Sequence, residues 1–177
     1  MTNPTGGYDG TLERTPDGGV IRFERRLPYP LREVWDAITN PARIADWWLP
    51  FDADITLDLR EGGELVITGR GDEPVSMTFR VLRVEPPVLF EHTHADPGSH
   101  MRWELEEVDG GCVLRLSHFM PDVDAAIDNC YIVGLHTSLG RLEPLLAGAP
   151  VPWDWEAFAV TQSHYAELGA APAVTEA

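Results

Sequence analysis

The stretch from Asp122 to Leu146 constrains the fold most, because its apolar residues recur with the spacing of an α-helix. Pro121 and Asp122 form a stop followed by an N-cap, and Gly148 is a typical C-terminal signal. The stretch therefore predicts one long amphipathic helix, bent near Gly140 because Pro144 cannot donate a backbone hydrogen bond to it. One broad face of this helix carries Ile127, Tyr131, Gly134, Leu135, Ser138, Leu142 and Leu145.

Ahead of this helix, the chain alternates apolar and polar residues in short runs that Gly, Pro and Asp punctuate. Short connections favour antiparallel neighbours. Two short helices are predicted after the first strand, and Asp154 is the expected N-cap of a last helix. The predicted strands are 20–27, 55–59, 64–68, 75–84, 88–94, 101–108 and 112–119.

These elements predict an α+β fold, in which a curved antiparallel sheet of about six to seven strands wraps around the long helix. We expect one folded domain over residues 20–148, with a C-terminal extension carrying a short helix at 149–169. Residues 1–19 and 170–177 lack periodicity and are expected to be disordered tails.

Composition excludes several function classes. The net charge of -16 argues against binding to nucleic acid or to an anionic membrane. The sequence has no apolar stretch long enough to span a bilayer. Its two cysteines are too few for a disulfide framework, so we expect both to be reduced and the protein to be cytoplasmic.

Three histidines are predicted on the buried face of the sheet. If Gly110 and Gly111 form a two-residue turn, Trp103 faces His118, and the preceding turn places His92 opposite Trp103. The side chains of His92 and His118 would then be about 10 Å apart with a Trp between them. A zinc ion needs its ligands at about 2 Å, so no metal site is expected.

Established catalytic motifs are missing from the sequence, including a nucleophile elbow, a phosphate-binding loop and a dinucleotide fingerprint. General acid-base chemistry by His92, His118 or Tyr131 stays open as an alternative. No cofactor is expected.

Taken together, several segments resemble the SRPBCC superfamily of START-related, Bet v-like helix-grip proteins. Within it, the chain is most similar to the Aha-type family of heat-shock-protein-90 ATPase activator homologues. The resemblance implies a sheet that grips the C-terminal helix with an apolar cavity between them; the superfamily includes binding proteins, cyclases and co-chaperone domains. The segments that carry the resemblance are 23–48, 57–65, 81–90, 103–119 and 134–148.

The leading hypothesis is therefore a binding module for a small apolar or aromatic molecule, held between the sheet and the helix. A cyclase-like or hydrolase-like enzyme, or a domain that binds a chaperone, are the alternatives. The oligomeric state, monomer or homodimer, stays open. The candidate ligand-binding residues are Phe79, Phe90, His92, Trp103, His118, Ile127, Tyr131, Leu135 and Ser138.

Overall fold

The computed structural model describes residues 8–72 and 75–175. These residues form an α+β structure, in which one curved antiparallel sheet of eight strands is covered on one face by helices. The strands are β1 (Thr11–Thr15), β2 (Gly18–Leu27), β3 (Ala53–Leu57), β4 (Glu64–Gly69), β5 (Ser76–Glu85), β6 (Leu89–Thr93), β7 (His100–Val108) and β8 (Gly111–Met120). The helices are α1 (Leu31–Thr39), α2 (Pro41–Trp47), α3 (Val123–Asp128), α4 (Tyr131–Leu139), α5 (Leu142–Leu146) and α6 (Trp155–Glu167).

The strand order is β1-β2-β8-β7-β6-β5-β4-β3, so β3 to β8 form a continuous meander and β2 pairs with the last strand of it. The predicted helix-grip architecture is confirmed. The sheet has one strand more than the upper expectation, because Thr11–Thr15 pairs with β2 as an edge strand instead of belonging to a mobile tail. Residues 1–7 of that expected tail lie outside the described residues.

The predicted long helix is three helices in the structure. The first interruption is at Asn129 and Cys130, where Cys130 adopts a left-handed backbone conformation with φ of 56°. The second is at Gly140 and Arg141, one turn before Pro144, where the proline's missing N–H was expected to bend the helix. The two breaks divide the predicted helix into α3, α4 and α5.

The core lies between the sheet and these helices. Val133 and Leu142 are fully buried against Phe23, Leu114 and other inward-facing strand residues. The end of the chain also contributes, since Ala170 and Ala171 are buried in the same cluster. Burial of these two alanines differs from the disordered tail expected after residue 169.

The predicted strand register is wrong by two residues. Met101 pairs with His118 and Trp103 with Leu116, because the hairpin turn is Asp109–Gly110, closed by the pair Val108 and Gly111. A slip of two residues leaves every side chain on its predicted face. It changes which inward-facing side chains are neighbours.

Candidate functional site

A cavity of about 240 Å³ lies between the sheet and α4 and opens toward α6. It is lined from three directions, by the sheet, by α4 and by two connecting segments rich in aromatic residues. The lining residues are Trp48, Pro50, His94, Met101, His118, Asn129, Cys130, Tyr131, Gly134, Leu135, Ser138, Trp153, Trp155 and Phe158.

The inner end of the cavity is built by the sheet. Met101 and His118 are paired neighbours on β7 and β8, and His94 follows the end of β6. The imidazole rings of His94 and His118 are edge to face, with 4.6 Å between their centroids. His118 is completely buried and therefore forms the closed end of the cavity.

The roof is one face of α4. Tyr131, Gly134, Leu135 and Ser138 recur at intervals of three and four residues, so they point to the same side of the helix. The turn at Cys130 starts this helix and places the Tyr131 ring over His118, with 5.3 Å between ring centroids. The Ser138 hydroxyl donates to the carbonyl oxygen of Trp48 over 2.8 Å.

The mouth is aromatic. Trp153, Trp155 and Phe158 pack against one another with ring centroids 5.5 to 6.0 Å apart. Arg141 holds this segment close to the α2–β3 connection, because its guanidinium donates to the carbonyl oxygens of Val151 and Leu49. The same guanidinium lies 5.8 Å from the centroid of the Trp153 ring.

The ionisable groups of the cavity are uncharged at neutral pH. Burial lowers the pKa of His118 to about 3 and that of His94 to about 4. Burial, together with a hydrogen bond from the phenol to Asp96, raises the pKa of Tyr131 to about 12. Among the described residues, no Asp, Glu or Arg lines the cavity. The site is therefore polar at a few atoms but carries no net charge of its own.

Some of those polar atoms have no partner. Among the described residues, neither ring nitrogen of His118 has a hydrogen-bond partner, and the same holds for Nδ1 of His94 and Nε1 of Trp153. Most buried polar atoms in folded proteins are paired. These atoms belong to residues that line the cavity, so they are candidate hydrogen-bond partners for a bound molecule.

Four of the nine predicted site residues line the cavity: His118, Tyr131, Leu135 and Ser138. The other five do not, and they are Phe79, Phe90, His92, Trp103 and Ile127. The first four of these five point inward as predicted and are buried in the core. Ile127 lies along a separate groove beside Gly10 and Tyr165.

The shifted register explains the difference for the sheet residues. Met101, not Trp103, lies between His92 and His118, so Trp103 is displaced away from the cavity. There the Trp103 indole N–H donates to Nε2 of His92 over 3.1 Å. Trp103 also packs on Trp48, with 5.1 Å between ring centroids, and thereby supports the cavity wall from behind.

The predicted site lacked the aromatic mouth and His94. A signal existed for His94, which follows His92 by two residues and therefore shares its face. Trp153 lies just before α6, and Trp155 is the first residue of that helix. Both reach the cavity only through tertiary packing, which sequence periodicity does not reveal. The helix predicted over 122–146 runs through Cys130 without a break, and the sequence contains no signal for the left-handed backbone of this residue.

Within residues 8–72 and 75–175, no three His, Cys, Asp or Glu side chains are grouped so that they could hold a metal ion. Both cysteines are free thiols. None of the helices in the described part of the chain has the length and apolar character needed to cross a membrane.

Comparisons with solved structures support the fold. CalU16 from Micromonospora echinospora is 26% identical, with a TM-score of 0.68 over 90% of this chain and 96% of that chain. Protein MLL2253 from Mesorhizobium loti is 25% identical, with a TM-score of 0.60 over 75% and 99% of the two chains. A conserved protein of unknown function from Enterococcus faecalis has a TM-score of 0.74 at 16% identity, covering 93% and 92%, and shows similarity of fold alone.

No functionally curated protein matches the sequence significantly. The family model described as "Activator of Hsp90 ATPase homolog 1-like protein" matches residues 28–147, about two thirds of the chain. That span begins just before α1 and ends after α5, and so includes the cavity roof and most of the sheet. The chain therefore belongs to the family of Activator of Hsp90 ATPase homolog 1-like proteins.

Proposed function

We propose that the protein binds a small, largely apolar molecule in the cavity under α4. The observation that carries this proposal is the make-up of the cavity wall, in which aromatic and aliphatic side chains surround a few unpaired polar atoms. Small-molecule sites commonly combine an apolar wall with a few polar groups that orient the ligand.

The cavity volume limits the size of that molecule. Small-molecule pockets commonly measure about 300 to 1,000 Å³, whereas an engineered apolar cavity of about 150 Å³ holds benzene. At about 240 Å³, this cavity suits a molecule of about two fused aromatic rings. Trp48, Trp153 and Trp155 would contact such a ring system at the mouth.

An acid-base enzyme is less well supported. A general acid or base works best when its pKa lies near the working pH. Here burial holds the pKa of His118 and His94 far below 7, and the pKa of Tyr131 far above it. These groups are suited to hydrogen bonding with a ligand more than to proton transfer.

A chaperone-binding surface also has less support. The neighbouring tryptophans Trp47 and Trp48 do not form an exposed patch for it, because Trp47 is buried and its indole N–H donates to the Ala37 carbonyl oxygen. The exposed apolar residues Trp155, Val160 and Leu168 point in different directions around the axis of α6. They do not form one apolar face.

The test is ligand-induced stabilisation of the wild-type protein across a panel of one- and two-ring aromatic compounds. A ligand present at 100 times its Kd adds about 2.7 kcal/mol to the free energy of unfolding, which raises Tm by several degrees. The fluorescence of the cavity tryptophans should change together with Tm. If neither responds to any compound, the proposal is wrong.

Two matched Gly→Phe variants, one that fills the cavity and one that does not, test whether the ligand binds there. A Cβ atom at Gly134 meets no atom within 4 Å, so Gly134→Phe should place a ring inside the cavity. Gly140→Phe puts the same side chain on an exposed position at the end of the same helix. Ligand-induced stabilisation should disappear in the first variant and persist in the second.

A further inference from the structure

The two histidines at the inner end of the cavity carry ring nitrogens that the fold leaves unpaired. Both ring nitrogens of His118 and Nδ1 of His94 have no hydrogen-bond partner within the described residues. Neighbouring polar groups are engaged, since the Tyr131 hydroxyl donates to Asp96 and the Ser138 hydroxyl to the Trp48 carbonyl oxygen. At the inner end of the cavity, the unpaired atoms therefore belong to the two histidines, while Nε1 of Trp153 is the unpaired atom at the mouth.

On the same sheet face, the fold provides hydrogen-bond partners for both ring nitrogens of another buried histidine, His92. His92 donates from Nδ1 to the Thr93 carbonyl oxygen over 2.8 Å and accepts from the Trp103 indole at Nε2. His118 lies one strand beyond Met101 and has neither kind of partner among the described residues. A buried polar atom without a partner lowers the stability of the fold, so a ligand group that pairs with His118 would recover part of the lost free energy.

Charge restricts which group this can be. No charged side chain in the described part of the chain lines the cavity, and Asp96, the carboxylate bonded to Tyr131, adds to an overall net charge of -16. A carboxylate would enter without a counter-charge and against the protein's field. An ammonium group would also lose its hydration without gaining a carboxylate on the cavity wall.

The hydrogen-bonding pattern of the two histidines further restricts which ligand group can pair with them. A neutral imidazole offers one N–H donor and one nitrogen acceptor. The burial that lowers the pKa of both histidines keeps them in this neutral form at pH 7. A hydroxyl group donates and accepts at once, whereas a ketone or an ether only accepts.

We infer that the inner end of the cavity selects ligands with an uncharged hydroxyl group, which His94 and His118 hydrogen-bond. This inference rests on the proposed binding function and specifies its ligand class: a small hydroxylated aromatic molecule. His94 and His118 are then the specificity-determining residues, while the aromatic mouth supplies apolar contact area.

The test compares three probes of nearly equal size by isothermal titration calorimetry at pH 7. These are 2-naphthol, 2-methylnaphthalene, in which a methyl replaces the hydroxyl, and 2-naphthoate, which is charged. One net hydrogen bond changes affinity by about tenfold. We expect 2-naphthol to bind about tenfold more tightly than 2-methylnaphthalene, and 2-naphthoate to bind at least tenfold more weakly than either.

Two variants assign the preference to the histidines. His118→Leu and His94→Leu should each reduce the advantage of 2-naphthol to less than about threefold while keeping affinity for 2-methylnaphthalene. His100→Leu is the control, because His100 stacks on Phe119 outside the cavity. It should leave the tenfold preference unchanged. The wild-type probe comparison and His94→Leu remain decisive if His118→Leu does not fold.

The outcomes separate the two levels of the proposal. Equal affinity for 2-naphthol and 2-methylnaphthalene would overturn the hydroxyl inference and leave the binding function standing. Tighter binding of 2-naphthoate would also overturn it, in favour of an anionic ligand. Failure of all three probes to bind would count against the binding function and against the inference with it.

Discussion

His92 and His118 are both buried on the inner face of the same sheet, and each is paired with Met101 from one of the two flanking strands. Their surroundings nevertheless differ. His92 has a partner at each ring nitrogen, whereas His118 has none among the described residues. The first histidine is part of the packed core, and the second lies against a cavity. The difference indicates that burial alone does not make a histidine structural; its hydrogen-bond partners do.

Acidification should produce the largest effect. Burial lowers the pKa of His118 to about 3 and of His92 to about 4, whereas an unfolded chain protonates histidine near pH 6.5. Between these values the unfolded state binds more protons, so stability falls as the pH decreases from about 6.5 toward 4. Each such histidine contributes up to about 1.4 kcal/mol per pH unit.

Urea unfolding between pH 7.5 and 4.5 measures this slope. His118→Leu should flatten this slope, because one buried titrating group is removed. His100→Leu is the control variant, because His100 stacks on Phe119 outside the cavity. A wild-type free energy of unfolding that stays constant across this range would contradict the assigned burial.

Substituting each of the two histidines in turn tests directly whether their surroundings differ. His92→Leu leaves the indole N–H of Trp103 without an acceptor and should cost about 1–3 kcal/mol. His118→Leu removes two unpaired buried nitrogens and should be neutral or slightly stabilising. Denaturant unfolding at pH 7.5 distinguishes them. Equal losses in the two variants would show that the His118 ring nitrogens are paired after all.

The two inner tyrosines offer a parallel pair. Tyr165 is fully buried, and its hydroxyl accepts from the Gly10 amide over 2.7 Å and hydrogen-bonds with Nδ1 of His136. Tyr165→Phe should therefore cost about 1–3 kcal/mol. Tyr131→Phe frees only Asp96, which water can solvate, and should cost less than about 1 kcal/mol. Thermal unfolding of both variants would show whether this ranking holds.

The smallest effect is expected at the open side of the cavity. Gly134 lies inside α4, and a Cβ atom added there would have free space around it, so Gly134→Ala should stabilise the protein by about 0.5–1 kcal/mol. At Gly19, by contrast, the space beside the Cα atom is already filled, because an added Cβ would lie 2.5 Å from Val123 Cγ2. Gly19→Ala should destabilise the protein, and thermal unfolding measures both changes. A loss of stability for Gly134→Ala would indicate that the cavity is already filled.

Local patterns were sufficient to predict the fold. Alternation of apolar and charged residues placed Phe90, His92, Trp103 and His118 on the inner face, and all four are there. That prediction survived a register error of two residues because the side-chain period of a strand is also two. The resemblance of five segments to the Aha-type family implied the helix-grip architecture, and both the family and the architecture are confirmed.

The cavity lining was less predictable because it depends on tertiary geometry. The prediction took Gly110–Gly111 as the turn, whereas the structure has Asp109–Gly110. The predicted turn put Trp103 beside His118, where the structure has Met101. The left-handed backbone at Cys130 redirects α4, and no residue type in that stretch signals it. Trp153 and Trp155 reach the mouth through a segment that Arg141 anchors, a long-range contact that periodicity does not encode.

The proposed aromatic ligand would occupy the space beneath α4. Methyl NMR of [¹³C-methyl]methionine protein, titrated with 2-naphthol, tests this claim most directly. Met101 lines the cavity, whereas Met120 is equally buried but lies outside it, so the chain contains its own control. We predict a ring-current shift for the Met101 methyl with Met120 unchanged. An unshifted Met101 signal at saturating 2-naphthol, or shifts of the same size at both residues, would contradict the claim.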